Sequence, residues 1–452
     1  MAPVWSFFKP GNVPHMLLLA VVVGIGGGIA AIVFHYLIDF FTWLFYGVTE
    51  AGLFVDTVEG MAWYWRLFIP ALGGLLVGLI IKFGRVTEAQ GHGVPEVMEA
   101  VALQQGTVRF RVAPLKALTA ALSIGSGGSA GREGPIIQIG SAVGSNIGRW
   151  FNLRHEQTLT LLAAGAAAGV GGTFGAPLAG IVFAWEVLLR RLTVARTAVL
   201  MTAAFIGTYV ARTFLDFNGP FFPGITISPI PWPELWLFAG LGLVAGLVAV
   251  FYDNILHAVE LMFRSSHFPF VVRPAIGGLL FGTITLLVPN VHETASTQVL
   301  AELLLVTSLS VGTLLLIMFA KIFATAFTLG SGGSGGIFAP ALFIGATLGS
   351  AYGLFLADIL PTEIAPATAY ALVGMAALFG AAAHAPLTAF IIVLEMTIAP
   401  NIIAPLAVAC IVSVIVAKLI QKTNIYSIEL ADKGVDVDRA YLRLDYYFRR
   451  GE

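Results

Sequence analysis

GSGGSAGREGPIIQIG, residues 125–140, sets two charges, Arg132 and Glu133, into glycine-rich sequence flanked by apolar runs. A run of glycine and serine breaks a helix, because glycine gives up the most backbone freedom on being fixed there. Pro135 and the apolar residues after it restart one, proline being at home in a first helical turn. A restarted helix presents free N–H groups and the positive end of its dipole, an arrangement that suits an anion.

The surroundings place that break in a membrane. Of the 452 residues, 58% are hydrophobic and only 11% charged, and the mean hydropathy is +0.90. Met16 to Leu44 carries one carboxylate, Asp39, and Ala301 to Leu329 carries only Glu302 and Lys321. Each exceeds the ~20 apolar residues that span a hydrocarbon core. The reading is an all-α polytopic membrane protein, integral and multi-pass; barrel strands would be shorter and alternating. The first apolar run lacks a small-residue cleavage site and reads as a span. A net charge of −1 argues against a nucleic-acid surface, and the single Cys410 excludes an intrachain disulfide.

Apolar spans fall near 16–47, 62–83, 110–124, 157–190 and 196–215, then near 234–254, 272–289, 302–329, 335–358, 367–398 and 401–420. Between the sets, NGPFFPGITISPIPWPEL (218–235) holds five prolines and reads as a connector. The sets repeat one plan. KALTAALSIGSGGSAGREGPIIQIGSAVG from Lys116 is answered by KIFATAFTLGSGGSGGIFAPALFIGATLG from Lys321, an offset of 205. Pro177 and Glu186 are answered by Pro386 and Glu395, an offset of 209. Paired, Gly/Pro-interrupted apolar segments point to a transport site near the bilayer midplane. Two matched breaks can aim two helix starts at one anion.

A charge in a membrane costs about 2.5–3.5 kcal/mol even on the lenient scale, so Glu133 needs a reason. One is structural, as an ion pair or a cap on exposed amides. The other is that its carboxylate competes with a permeant anion for those amides and vacates them when protonated. An enzyme reading competes: Gly127–Gly131 fits G-x-S-x-G, and Ser334 with His384 resembles the serine and base of an intramembrane protease. The serines recur in both repeats, as a structural turn would, while His384 has no counterpart in the first. No H-E-x-x-H, Walker lysine or Cys/His metal spacing is present, so no enzyme activity, cofactor or metal is expected.

The motifs GHGVPE (91–96), GREGP (131–135), GGIFAP (335–340) and NIYS (424–427), in that order, resemble the CLC family of chloride channels and chloride/proton exchangers. The resemblance covers roughly residues 14–430. It implies a homodimer with a pore in each subunit, and partly reentrant helices in two inverted halves. It makes Glu133 the gating glutamate. The backbone around Gly336, Ile337, Phe338 and Ala339 would bind a central anion, and Arg132, Glu133 and Gly134 would line an outer site. Tyr426 would offer its hydroxyl from the intracellular side.

Two positions depart from the pattern. Chloride-selective members commonly have serine where this chain has His92, before Gly93. That imidazole either donates to an anion or turns away and leaves only backbone at the pore. Many exchangers carry an inward-facing glutamate at the place of Val187, in FAWEVLL (183–189). Valine cannot carry a proton, neighbouring helix positions point about 100° apart, and Glu186 has a repeat counterpart that favours a structural role.

The expectation is therefore a passive chloride channel with a proton-sensitive gate at Glu133, acid raising its flux and His92 modulating it. The alternative is a chloride/proton antiporter, since some family exchangers lack an acid at the Val187 position. The expected layout is a transmembrane domain over 14–430, with repeat one about 14–215, connector 216–233 and repeat two about 234–420. A polar tail follows over 431–452, where family members often continue into paired CBS domains.

Overall fold

The computed structural model describes residues 12–49, 51–191, 193–215, 222, 225–292, 309–437 and 439–441. Residues 216–221, 223 and 224 of the expected connector and the end of the expected tail lie outside the described residues. The first half runs α1 (Val13–Tyr46), α2 (Ala51–Gly60), α3 (Trp63–Gly84), α4 (Val94–Ala102), α5 (Val112–Gly125), α6 (Glu133–Trp150), α7 (His155–Phe174), α8 (Pro177–Phe183) and α9 (Val194–Leu215). The second runs α10 (Leu235–Ser265), α11 (Arg273–Leu287), α12 (Val311–Gly330), α13 (Phe338–Ile359), α14 (Ala367–Ala383), α15 (Pro386–Thr397) and α16 (Ile403–Ile420), with a short α17 (Ile428–Asp432) after it. Among the described residues, seven helices are long and apolar enough to cross a membrane. This is an integral, multi-pass membrane protein.

The two halves pack alike, because small residues recur at matching places. α6 lies on α7 as α13 lies on α14, α1 on α9 as α10 on α16, and α3 and α11 pack on each other across the halves. Lipid gives no hydrophobic incentive for helices to associate, so close backbone approach supplies the contact energy. Gly24 and Gly28 let α1 touch the Ala203 and Gly207 carbonyls of α9. Gly242 and Gly246 do the same for α10 against Ala409 and Ser413 of α16.

Two long apolar runs that read as single spans are each broken. The run 157–190 ends α7 at Gly175 (φ +66°) and resumes at Pro177 as α8, which continues through one π turn over Ala184–Leu189. The run 367–398 ends α14 at His384 (φ +52°) and resumes at Pro386 as α15. Composition hides such breaks, since a helix buried all round has no polar face to interrupt.

The restarted helices close on each other. Glu186 accepts from the backbone N–H groups of Leu387 (3.1 Å) and Thr388 (2.7 Å) at the start of α15. Glu395 accepts from Leu178 (3.1 Å) and Ala179 (2.7 Å) at the start of α8. Each half thus caps the other's helix with its repeat-matched glutamate. A single amide oxygen of glutamine replaces this poorly, so Glu395→Gln is expected to cost about 1–2 kcal/mol. The check is a lower thermal midpoint in detergent with chloride selectivity unchanged.

Candidate functional site

The glycine–serine breaks adopt one conformation twice, with Gly127 at φ +97° and Gly332 at φ +101°. Away from lipid and water their backbone groups must still be paired, and they pair with each other. Gly131 N–H donates to Gly336 O (2.7 Å) and Gly336 N–H returns to Gly131 O (2.6 Å). A third segment joins: Gly91 N–H donates to Gly333 O (2.9 Å) and Gly335 N–H to Gly91 O (3.2 Å). Lys116, buried on α5, ties that segment down through its ammonium to the Ala89, Gln90 and Gly91 carbonyls. The starts of α4, α6 and α13 thereby converge.

Glu133 opens α6 and is 2% exposed. Its Oε2 accepts from Ala339 N–H at 3.4 Å, near the head of α13. The carboxylate also folds back over Gly131, where a Cβ would stand 2.1 Å from Oε2. Gly336 has spent its amide on Gly131, so Ile337, Phe338 and Ala339 are the amides left heading α13. A carboxylate there stands where a positive helix end would draw an anion. The Phe338 ring packs on Phe379 (4.3 Å) and Phe174 (5.5 Å), which makes the surroundings apolar.

His92 and Tyr426 meet on the other side of this junction, their ring centroids 6.3 Å apart. Both are buried. Asn424 Oδ1 accepts from the Tyr426 and Ser427 N–H groups, fixing the turn that presents the tyrosine. His92 Nδ1 is buried without a hydrogen-bond partner, and Gly93 follows it at φ +83°. Gly134 touches the His92 carbonyl directly.

Two cavities approach the junction. One, about 860 Å³, is lined by Glu186, Val187, Arg190, His384, Lys418 and Asp436 among others. The start of the expected tail forms part of its wall, where the Tyr441 hydroxyl donates to Leu188 O (2.7 Å). The second, about 470 Å³, reaches His92 and Gly91 and is lined by Glu96, Glu260, Arg264, Glu429 and Lys433. Burial works against the charge on Lys433. Glu429, Glu96 and Glu99 outweigh it and hold the ammonium above the ordinary lysine range.

The remaining candidates are accounted for by their contacts. Arg132 turns its guanidinium to His35 Nδ1 (3.2 Å), whose Nε2 faces Asp39 (3.3 Å), so its backbone alone belongs to the junction. Val187 is buried in the π turn beside the larger cavity. Ser334 donates to Ala89 O (2.7 Å) and accepts from the Thr119 hydroxyl (3.1 Å). Ser129 bonds Thr325 and Thr328. These serines stitch the breaks together, while His384 closes the end of α14 through its backbone N–H to Ala381 O and lines the larger cavity.

Residues 73–418 match the family described as Voltage gated chloride channel. The chain is 33% identical over 434 residues to a ClcB-like chloride channel protein of Ralstonia nicotianae, covering 94% of this chain and 98% of that one. It is 33% identical over 422 residues to the H(+)/Cl(−) exchange transporter ClcA of Yersinia pestis, covering 92% and 87%. Among solved structures it superposes on a slow cyanobacterial Cl−/H+ antiporter with a TM-score of 0.78 and 27% identity, over 96% and 99% of the two chains. A CLC-type fluoride/proton antiporter, at TM-score 0.75 and 22% identity over 91% and 96%, shares the fold. The exchange transporter and the Cl−/H+ antiporter among these relatives overturn the passive channel expected from Val187. An exchange transporter and an antiporter stand among the similar proteins, and one missing acid does not remove every proton route.

Proposed function

This chain belongs to the voltage gated chloride channel family, the CLC proteins, and from that premise we propose that it is a chloride/proton antiporter. The observation that carries the reading is Glu133: a buried carboxylate on the head of α13, competing for amides that suit an anion. Protonation removes its charge and its claim on those amides. One side chain therefore both binds the proton and yields the site, which couples the two ions by exclusion. Arg132–Gly134 and Ile337–Ala339 would hold chloride through backbone, with Tyr426 and the His92–Gly93 turn closing the opposite side. The family resemblance supports two copies in a bilayer, each with its own pathway, and the layout of a transmembrane domain over 14–430 in two repeats.

The test is the purified protein in liposomes under a chloride gradient with no pH gradient. Protons are expected to move uphill at a fixed ratio to chloride. Chloride movement with no proton movement would overturn the antiport reading.

A further inference from the structure

α10 crosses the molecule as an apolar helix of 31 residues, yet Asp253, His257, Glu260 and Arg264 recur on it at steps of four, three and four. That spacing stacks them on one face. At 1.5 Å per residue the steps rise about 4.5–6 Å each, within reach of side chains linked through single waters. Glu260 and Arg264 line the 470 Å³ cavity, with Glu96, Glu429 and Lys433 on its other walls. One step deeper, His257 holds Asp432 through Nε2 (3.6 Å), while its buried Nδ1 has no partner. Deepest is Asp253, 3% exposed, with Oδ1 buried and unpartnered. The Tyr426 ring stands 6.3 Å from that of His92, which lines the same cavity.

An ionisable side chain placed so deep in a membrane protein is costly unless it serves an ion or proton path. Among the described residues no ion pair offsets Asp253. The groups facing this ladder across the cavity are Glu88, Glu96, Glu99, Arg273, Glu429 and Lys433 with the His92 ring, and Asp432 on His257; Lys116 bonds the Gly91 carbonyl behind them. Salt bridges occupy the cavity end, where Glu260 pairs with Arg264 (2.7 Å) and Glu429 with Lys433 (3.2 Å). At the inner end one Asp253 oxygen is buried and unpartnered, as suits a carrier that must gain and lose a proton.

We propose that Asp253 is the inner proton carrier of this antiporter, fed from the 470 Å³ cavity along the α10 face through Glu260 and His257. The route replaces the missing acid at Val187 and enters by a different cavity. A proton taken from cavity water by Glu260 passes to the His257 imidazole and then to the Asp253 carboxylate, which becomes a neutral acid. It leaves past the Tyr426 hydroxyl to the Glu133 carboxylate, returning Asp253 to its charged form. Chloride keeps its own path through the backbone amides.

The proposal rests on the antiport reading, and the test separates the two. Wild type, Asp253→Asn and Asp253→Glu are reconstituted in liposomes, and chloride and proton movements are recorded together. Asp253→Asn is expected to slow proton transport about tenfold or more, the scale on which a positioned proton carrier acts, while chloride still flows. Asp253→Glu is expected to retain coupling. Glu260→Gln and His257→Asn are expected to slow proton entry about threefold or more, and they decide the matter if Asp253→Asn does not fold. Undiminished coupling in Asp253→Asn overturns the proposal and leaves antiport standing. Equal loss of chloride and protons marks a structural role and overturns it too. Loss of coupling in His92→Gln but not in Asp253→Asn places the route on the other wall. A wild type that moves no protons removes both readings.

Discussion

Replacing Glu133 with glutamine is expected to stop proton transport and leave chloride flowing. Glutamine keeps the shape of the side chain but cannot be deprotonated at working pH. The buried carboxylate of Glu133 sits 3.4 Å from Ala339 N–H, and its negative charge suits the positive start of α13. A neutral amide has a weaker claim there, so chloride gains the amides permanently. Proton movement should fall about 100-fold or more, to the leak of the liposome, because the carboxylate that trades a proton for chloride at the junction is gone. The pH profile is the second readout. Acid protonates Glu133 in the wild type and vacates the site, so chloride flux rises as pH falls, whereas Glu133→Gln should be flat. Flux that stayed flat in both, or proton pumping that survived in the variant, would sink the gate.

The second large effect is expected of Gly134→Ala, a change of one methyl group. A Cβ at Gly134 would stand 2.0 Å from the His92 carbonyl oxygen and 3.0 Å from Gly336 Cα. Both obstacles are backbone, so no side chain can swing aside. The start of α4 or of α13 must then move, and the amides that face the anion move with it. Overpacking of this kind costs about 1–3 kcal/mol or more. A displacement near 1 Å in a positioned site costs about 100-fold in rate. Chloride flux and the thermal midpoint in detergent should both fall. Gly60→Ala is the control, since nothing stands within 4 Å of its Cβ position. Wild-type chloride flux in Gly134→Ala would show that the three helix starts do not depend on their contact.

The geometry around Glu133 was legible because its logic is local. A glycine–serine break followed by proline marks a helix start, and a carboxylate placed on that start competes with an anion whatever lies around it. Glu186 was legible for the same reason, its repeat partner Glu395 marking it as structural. Val187 misled, because a proton route was sought at one position of one helix. Asp253 went unremarked: one acid in a long apolar helix has no motif, and its i, i+4, i+7, i+11 companions mean little until a cavity is found beside them.

By itself, then, the chain determined that it spans a membrane, that two halves repeat with an offset of 205, and that each half breaks and restarts a helix. Those properties follow from hydropathy, period and capping, which neighbouring residues decide. Only the tertiary structure decided where the broken backbones find partners, with Gly131 pairing Gly336 and Gly91 joining Gly333 and Gly335. It also decided that two apolar runs split, that Glu186 and Glu395 exchange helix caps, and that His92 and Tyr426 come together from distant parts of the chain. The physical reason is shared: in a membrane every broken hydrogen bond must be repaired by another segment, and which segment arrives is settled by packing.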